Sequence, residues 1–230
     1  MRNPIIVALD VASAEEARSL VARLDATVSF YKVGLELYAA AGRDFVRELL
    51  AQGKDVFLDL KFYDISETVK RAVRQVAQLG VRFLTVHGSG PVMHAAAEGR
   101  QDSPLKLLAV TVLTSFDQDD LRDLGYPCEI PDLVALRVRK ARDAGIDGIV
   151  CSALEVAAVR SLAGPGLILV TPGVRSAGAS SGGQKRIATP AEALGAGANY
   201  IVVGRQITRA PDPAAEAARI LEEISLSARL

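Results

Sequence analysis

Asp59, Lys61 and Asp64 place two carboxylates and one amine within six residues. They follow the apolar run Val56-Phe57-Leu58, which reads as a buried parallel strand. Side chains alternate along a strand, so Asp59 and Lys61 share a face, about 7 Å apart along it. Asp64 comes where the strand gives way to a turn. Burying one charge is expensive, and three are tolerated only when they neutralise one another or take part in chemistry. A structural ion pair capping the strand is the plain alternative. Such pairs are usually solvated, however, whereas functional groups cluster at strand ends. Lys32 ends another apolar run, so Lys32, Asp59, Lys61 and Asp64 form a row alternating in sign, and such a row stays ionised in a dry site. Carboxylates beside Lys61 favour its charged form, which suits a proton donor. An imine-forming lysine needs an apolar or cationic setting instead.

The elements that must hold these groups alternate from end to end. Apolar, β-branched runs at residues 5–9, 30–33, 56–60, 83–86, 107–112, 148–151, 167–170 and 200–203 read as strands. Between them lie amphipathic segments. Ser13 and Glu16 have capping-box spacing before a stripe of Ala17, Leu20, Val21 and Leu24. Phe45, Val46, Leu49 and Leu50 make a second stripe, and Val69, Val73, Val76 and Leu79 a third. Thr189-Pro190 with Glu192 opens another helix, and residues 213–226 supply the last. Eight such alternations in 230 residues predict an α/β fold, a (β/α)8 barrel with residues 1–230 as one domain. A doubly wound sheet would want a glycine-rich turn after the first strand, where the chain has Asp10-Val11-Ala12-Ser13.

In a barrel the C-terminal strand ends share one mouth. The polar residues there are Asp10, Lys32, Asp59, Lys61, His87, Thr114, Ser115, Arg175, Gly204 and Arg205. The opposite strand ends carry little comparable. Barrels often hold phosphate with the loops after strands seven and eight, and here those loops carry Arg175, Gln184, Gly204 and Arg205. Glycine lets backbone N–H groups approach an anion and arginine offers a bidentate fork. Two connections, residues 115–131 and 175–187, exceed what packing requires. The second is small and polar, and its position predicts a mobile lid over the mouth. No metal-ligand spacing and no dinucleotide or P-loop glycine motif occurs, so the site reads as cofactor-free and metal-free. His87 reads as structural, and His94 carries no signal.

Composition excludes several other classes. Twenty-seven acidic and 27 basic residues cancel, giving no sign of a nucleic-acid surface or a polybasic membrane patch. Half the residues are hydrophobic, yet no apolar run approaches the roughly 20 residues of a membrane helix. The N-terminus is charged too early for a signal peptide. Cys128 and Cys151 are isolated and read as reduced thiols. A cytoplasmic protein is expected.

The stretch Asp59-x-Lys61-x-x-Asp64-Ile65, followed by Thr68, resembles the active-site signature of the orotidine 5'-monophosphate decarboxylases. The resemblance runs through Ala8-Leu9-Asp10, Tyr31-Lys32-Val33-Gly34, Val86-His87, the segment from Val110 to Ser115, Val170 to Arg175, Gln184, and Val203-Gly204-Arg205. Ser66-Glu67 departs from the Pro-Asn usual in the family and leaves the charged pattern intact. The resemblance implies decarboxylation to uridine 5'-monophosphate, the last step of de novo pyrimidine synthesis, with Lys61 protonating carbon 6. It implies that Asp59 sits beside the substrate carboxylate, Lys32 bridges Asp59 and the ribose, and Asp10 takes a ribose hydroxyl. Thr114 and Ser115 would read the pyrimidine edge. Arg175, Gln184, Gly204 and Arg205 would hold the phosphate, with Gln184 on the closing loop. Asp64 and Thr68 would reach the substrate of a neighbouring subunit in a homodimer. A related magnesium-dependent keto-gulonate-phosphate decarboxylase shares the Asp-x-Lys-x-x-Asp core. The Gln184 loop and residues 112–115 argue against it. A catalytically dead phosphate-ligand sensor would have no use for so costly a charge row.

Overall fold

Eight parallel strands close on themselves in chain order, the first pairing with both the second and the eighth. They are β1 Ile5–Ala8, β2 Phe30–Gly34, β3 Asp55–Phe62, β4 Phe83–His87, β5 Lys106–Val110, β6 Gly148–Val150, β7 Ile168–Pro172 and β8 Tyr200–Val203. The helices outside them are α1 Ala14–Leu24, α2 Leu35–Ala51, α3 Ser66–Ala77, α4 Gly90–Arg100 and α5 Gln118–Asp123. They continue with α6 Ile130–Asp143, α7 Val156–Ala163, α8 Pro190–Gly195, α9 Arg205–Thr208 and α10 Pro213–Ser227. The computed structural model describes residues 3–176 and 188–227. Most of the expected lid therefore lies outside the described residues. Among those described, no helix is long and apolar enough to cross a membrane.

The strand period of two sorts the side chains into two cores. Ile6, Ala8, Phe30, Phe57, Phe83, Leu108, Val170 and Val202 fill the barrel interior. The alternate positions, among them Val7, Tyr31, Val33, Leu58 and Leu84, face the helix ring and join its apolar stripes. Each fully buried large side chain contributes about 1.5–3 kcal/mol, so both cores favour this register over a one-residue slip. Gly148 shows how tightly the interior is filled, since a Cβ there would lie 2.4 Å from the Ile168 carbonyl oxygen. Lys32, Asp59 and Thr85 lie two residues beyond Phe30, Phe57 and Phe83, and so share the inward face at the C-terminal end.

Several local expectations are modified. All eight strands occur where the apolar runs stand, but β3 persists through Phe62, so Asp59 and Lys61 belong to the strand itself. Ser13 Oγ accepts from the Glu16 N–H, though only that half of the capping box is formed. At Thr189 both halves are present. The long connection after β5 contains α5, capped by Asp117 and Asp120. Its six residues bury only Leu121, too little apolar periodicity to be legible.

The N-terminal end of the barrel is not empty of polar groups, contrary to the sequence expectation. Arg82 lies there with its guanidinium 5.1, 5.3 and 5.5 Å from the ring centroids of Phe30, Phe83 and Tyr200. It donates to Asp55 Oδ2 at 2.6 Å and to the Tyr200 hydroxyl at 2.7 Å. A partly desolvated cation over aromatic faces is worth about 0.5–2 kcal/mol, so this plug is stabilising. It closes the floor of the barrel and leaves the mouth for chemistry.

Candidate active site

The mouth encloses a cavity of about 490 Å³. Asp10, Lys32, Asp59, Lys61, Thr114, Ser115, Arg175, Gly204 and Arg205 all line it. The fold thus brings together residues spread over almost 200 positions of sequence. Three expected site residues stand apart. Asp64 and Thr68 are exposed and do not line this cavity, and Gln184 lies outside the described residues.

A row of alternating charge crosses the cavity floor. Lys32 Nζ donates to Asp10 Oδ1 at 2.8 Å and lies 3.6 Å from Asp59 Oδ2. Lys61 Nζ donates to Asp59 Oδ1 at 2.8 Å. Within one chain the row therefore runs Asp10, Lys32, Asp59, Lys61, with Asp10 at the end where Asp64 was expected at the other. Asp64 turns away, its Oδ1 accepting the Ile65 N–H at 2.6 Å. Exposure rises outward, with Lys32 and Asp59 side chains 10% and 15% exposed, Lys61 36% and Asp10 58%. Burial alone would raise the Asp59 pKa. Lys32 and Lys61, with hydrogen bonds from Lys61 and Thr85, outweigh it and hold the carboxyl below the usual carboxylate range. Asp59 is thus a fixed anion beside a fixed cation.

The backbone that aims Lys61 is unusual. The β3–β4 register shifts between Leu58 and Phe62, and Lys61 has φ 47°, in the left-handed region that a non-glycine residue rarely adopts. Such a conformation costs on the order of 1–3 kcal/mol and persists only where the surroundings enforce it. Gly34 makes room for the neighbouring pair, since a Cβ there would lie 3.0 Å from Lys32 Nζ and 3.2 Å from Asp10 Oδ1. Gly173, with φ 78°, supplies the turn that carries the chain from β7 to Arg175.

The opposite rim is cationic. Arg175 is buried and donates from Nη1 to the Val174 carbonyl at 2.6 Å, while Arg205 is exposed. Neither pairs with a carboxylate among the described residues. Burial first, and then the Arg205 charge, disfavour the Arg175 cation. Two arginines without an acid between them suit an anionic group of the ligand. The Arg175 N–H donates to the Ala188 carbonyl at 3.0 Å, so the two ends flanking residues 177–187 meet beside this rim.

The setting of His87 favours its neutral form. Its ring stacks on Tyr63 with centroids 4.2 Å apart, and burial, followed by the Arg137 charge, pushes its pKa down to about 4. The residue that sequence reading missed is Thr85, fully buried on β4, whose hydroxyl donates to Asp59 Oδ1 at 2.9 Å. The available signal was one hydroxyl in the otherwise apolar run Phe83-Leu84-Thr85-Val86.

Comparison with known proteins gives the chain its family. Residues 3–220 match the model of the "Orotidine 5'-phosphate decarboxylase / HUMPS family". An orotidine 5'-phosphate decarboxylase of Rhodopseudomonas palustris (strain BisA53) is 52% identical over 223 residues, covering 97% of this chain and 95% of the relative. One from Methylobacterium sp. (strain 4-46) is 52% identical over 227 residues, covering 97% and 96%. The crystal structure of orotidine 5'-phosphate decarboxylase from Lactobacillus acidophilus superposes with a TM-score of 0.85 at 37% identity, covering 96% of this chain and 99% of that one. The match of nearly the whole chain, on the same closed barrel, shows that this protein belongs to the orotidine 5'-phosphate decarboxylase / HUMPS family.

Proposed function

We propose that this chain decarboxylates orotidine 5'-monophosphate to uridine 5'-monophosphate and carbon dioxide, as a cytoplasmic homodimer and without a cofactor. The observation that carries this reading is the Asp59–Lys61 pair, a carboxylate and an ammonium held side by side in a cavity with Arg175 and Arg205 on its far rim. The phosphate lies against Arg175, Gly204 and Arg205, and the family resemblance adds Gln184, which lies outside the described residues. The ribose lies over Asp10 and Lys32, and the pyrimidine faces Thr114 and Ser115. Its carboxylate then meets Asp59, and carbon 6 meets Lys61. The bond from carbon 6 to the carboxylate breaks with its electron pair left on carbon 6, and the Lys61 ammonium supplies the proton that pair takes up. Fixed charges that stabilise the carbanion account for the rate without recourse to strain. The exposure of Asp64 and Thr68 suits residues lent to a partner's site rather than used at home.

The assay is direct. The ultraviolet band of orotidine 5'-monophosphate should shift to that of uridine 5'-monophosphate in the presence of the protein, with falling absorbance at its long-wavelength edge, at a rate that a chelator leaves unchanged. Absence of turnover would overturn the reading, and loss of activity on chelation would favour the magnesium-dependent keto-gulonate-phosphate chemistry that shares the Asp-x-Lys-x-x-Asp core.

Arg205→Ala tests the phosphate end. Remote binding energy helps to assemble the reacting end, so both kcat and kcat/KM should fall, the latter by about 100-fold or more. Normal kinetics in this variant would place the phosphate elsewhere.

A further inference from the structure

We propose that Thr85 is the positioning residue that sets the Asp59–Lys61 pair, its single hydroxyl holding the carboxylate of one and the backbone of the other. The inference rests on Lys61 being the proton donor. In the β3–β4 ladder Leu58 pairs with Leu84, and the next pairing is Phe62 with Val86. Thr85 is left facing residues 59–61. A regular parallel ladder would offer the Lys61 N–H a backbone carbonyl. Here that N–H donates to Thr85 Oγ1 at 2.9 Å.

A hydroxyl that accepts one hydrogen bond still has its own proton to give. Thr85 gives it to Asp59 Oδ1 at 2.9 Å, the same oxygen that accepts from Lys61 Nζ at 2.8 Å. Thr85, Lys61 and Asp59 thus close a ring of three hydrogen bonds. One side chain therefore fixes both where the proton donor starts and where its counter-charge sits. Thr85 is fully buried, so solvent has no access to replace it. The left-handed backbone at Lys61 has no glycine to ease it and depends on such external restraint. Not every buried threonine in this barrel serves in this way. Thr171 on β7 is equally buried, and its hydroxyl has no partner among the described residues.

Thr85→Val keeps the shape and deletes both contacts. Proton delivery depends on sub-ångström placement, so kcat should fall by about 100-fold while KM and uridine 5'-monophosphate affinity stay within about threefold. Thr85→Ser, which restores the hydroxyl, should recover kcat to within about threefold of wild type. Thr171→Val, an equivalent substitution with no hydrogen bond to lose among the described residues, should leave kcat unchanged. A folded Thr85→Val with near-normal kcat, or a Thr85→Ser as slow as Thr85→Val, would overturn the proposal. If Thr85→Val does not fold, Thr85→Cys, similar in size but a weaker donor and acceptor, is judged by the same criteria. Lys61→Ala run alongside separates the two readings. Activity retained there removes the proton donor itself, whereas an inactive Lys61→Ala beside a normal Thr85→Val removes only the role of Thr85.

Discussion

Lys61→Ala is expected to lower turnover by at least about 1,000-fold while uridine 5'-monophosphate still binds within about threefold of wild type. The substitution removes the amine that donates to Asp59 Oδ1 and spares both rim arginines. In the proposed pose two losses then act together. Carbon 6 would have no acid within reach, and Asp59 would face the substrate carboxylate with one fewer compensating charge. The second loss weakens substrate binding but not product binding, because the product lacks that carboxylate. Measuring product affinity beside kcat therefore separates lost chemistry from a collapsed pocket. Residual activity within about tenfold of wild type would remove Lys61 from the role of acid.

The parts of this site that were legible in sequence are those governed by short-range periodicity. Period two along β3 put Asp59 and Lys61 on one face, and apolar runs marked all eight strands. The closed barrel then implied that Lys32, Arg175 and Arg205 would share a mouth with them. What sequence did not disclose depends on register between strands. Asp10 joins the charge row because β1 and β2 pair Ala8 with Lys32, a match that no local pattern encodes. The irregular pairing of β3 with β4 is unmarked by glycine, so the backbone of Lys61 could not be read in advance, and the lone hydroxyl of Thr85 gave no hint of which groups it meets. Arg82 was invisible for a related reason. An arginine just before a strand is usually solvated, and only closure of the barrel brings three aromatic rings around it.

Mixing two inactive variants should restore activity if the site is shared between subunits. Asp64 sits in the turn before α3, exposed and outside the cavity of its own barrel, with Thr68 also exposed one turn along that helix. Exposed Tyr63 and Ile65 flank Asp64, and apolar side chains of that size beside a charged group suit a surface that a second copy covers. A two-fold interface is self-complementary, so each subunit would lend an Asp64 and receive one. Lys61→Ala dimers lack the acid in both sites, and Asp64→Asn dimers lack the lent carboxylate in both. In a mixed dimer, the subunit that keeps Lys61 receives the intact Asp64 of its partner, while the other site lacks both groups. Random exchange makes about half of all dimers mixed, each with one working site of two, so activity should return to about one quarter of wild type. If Asp64 instead served its own subunit, every site in every dimer would still lack one residue. A mixture that stays inactive after verified exchange would therefore place Asp64 at home and refute the shared site.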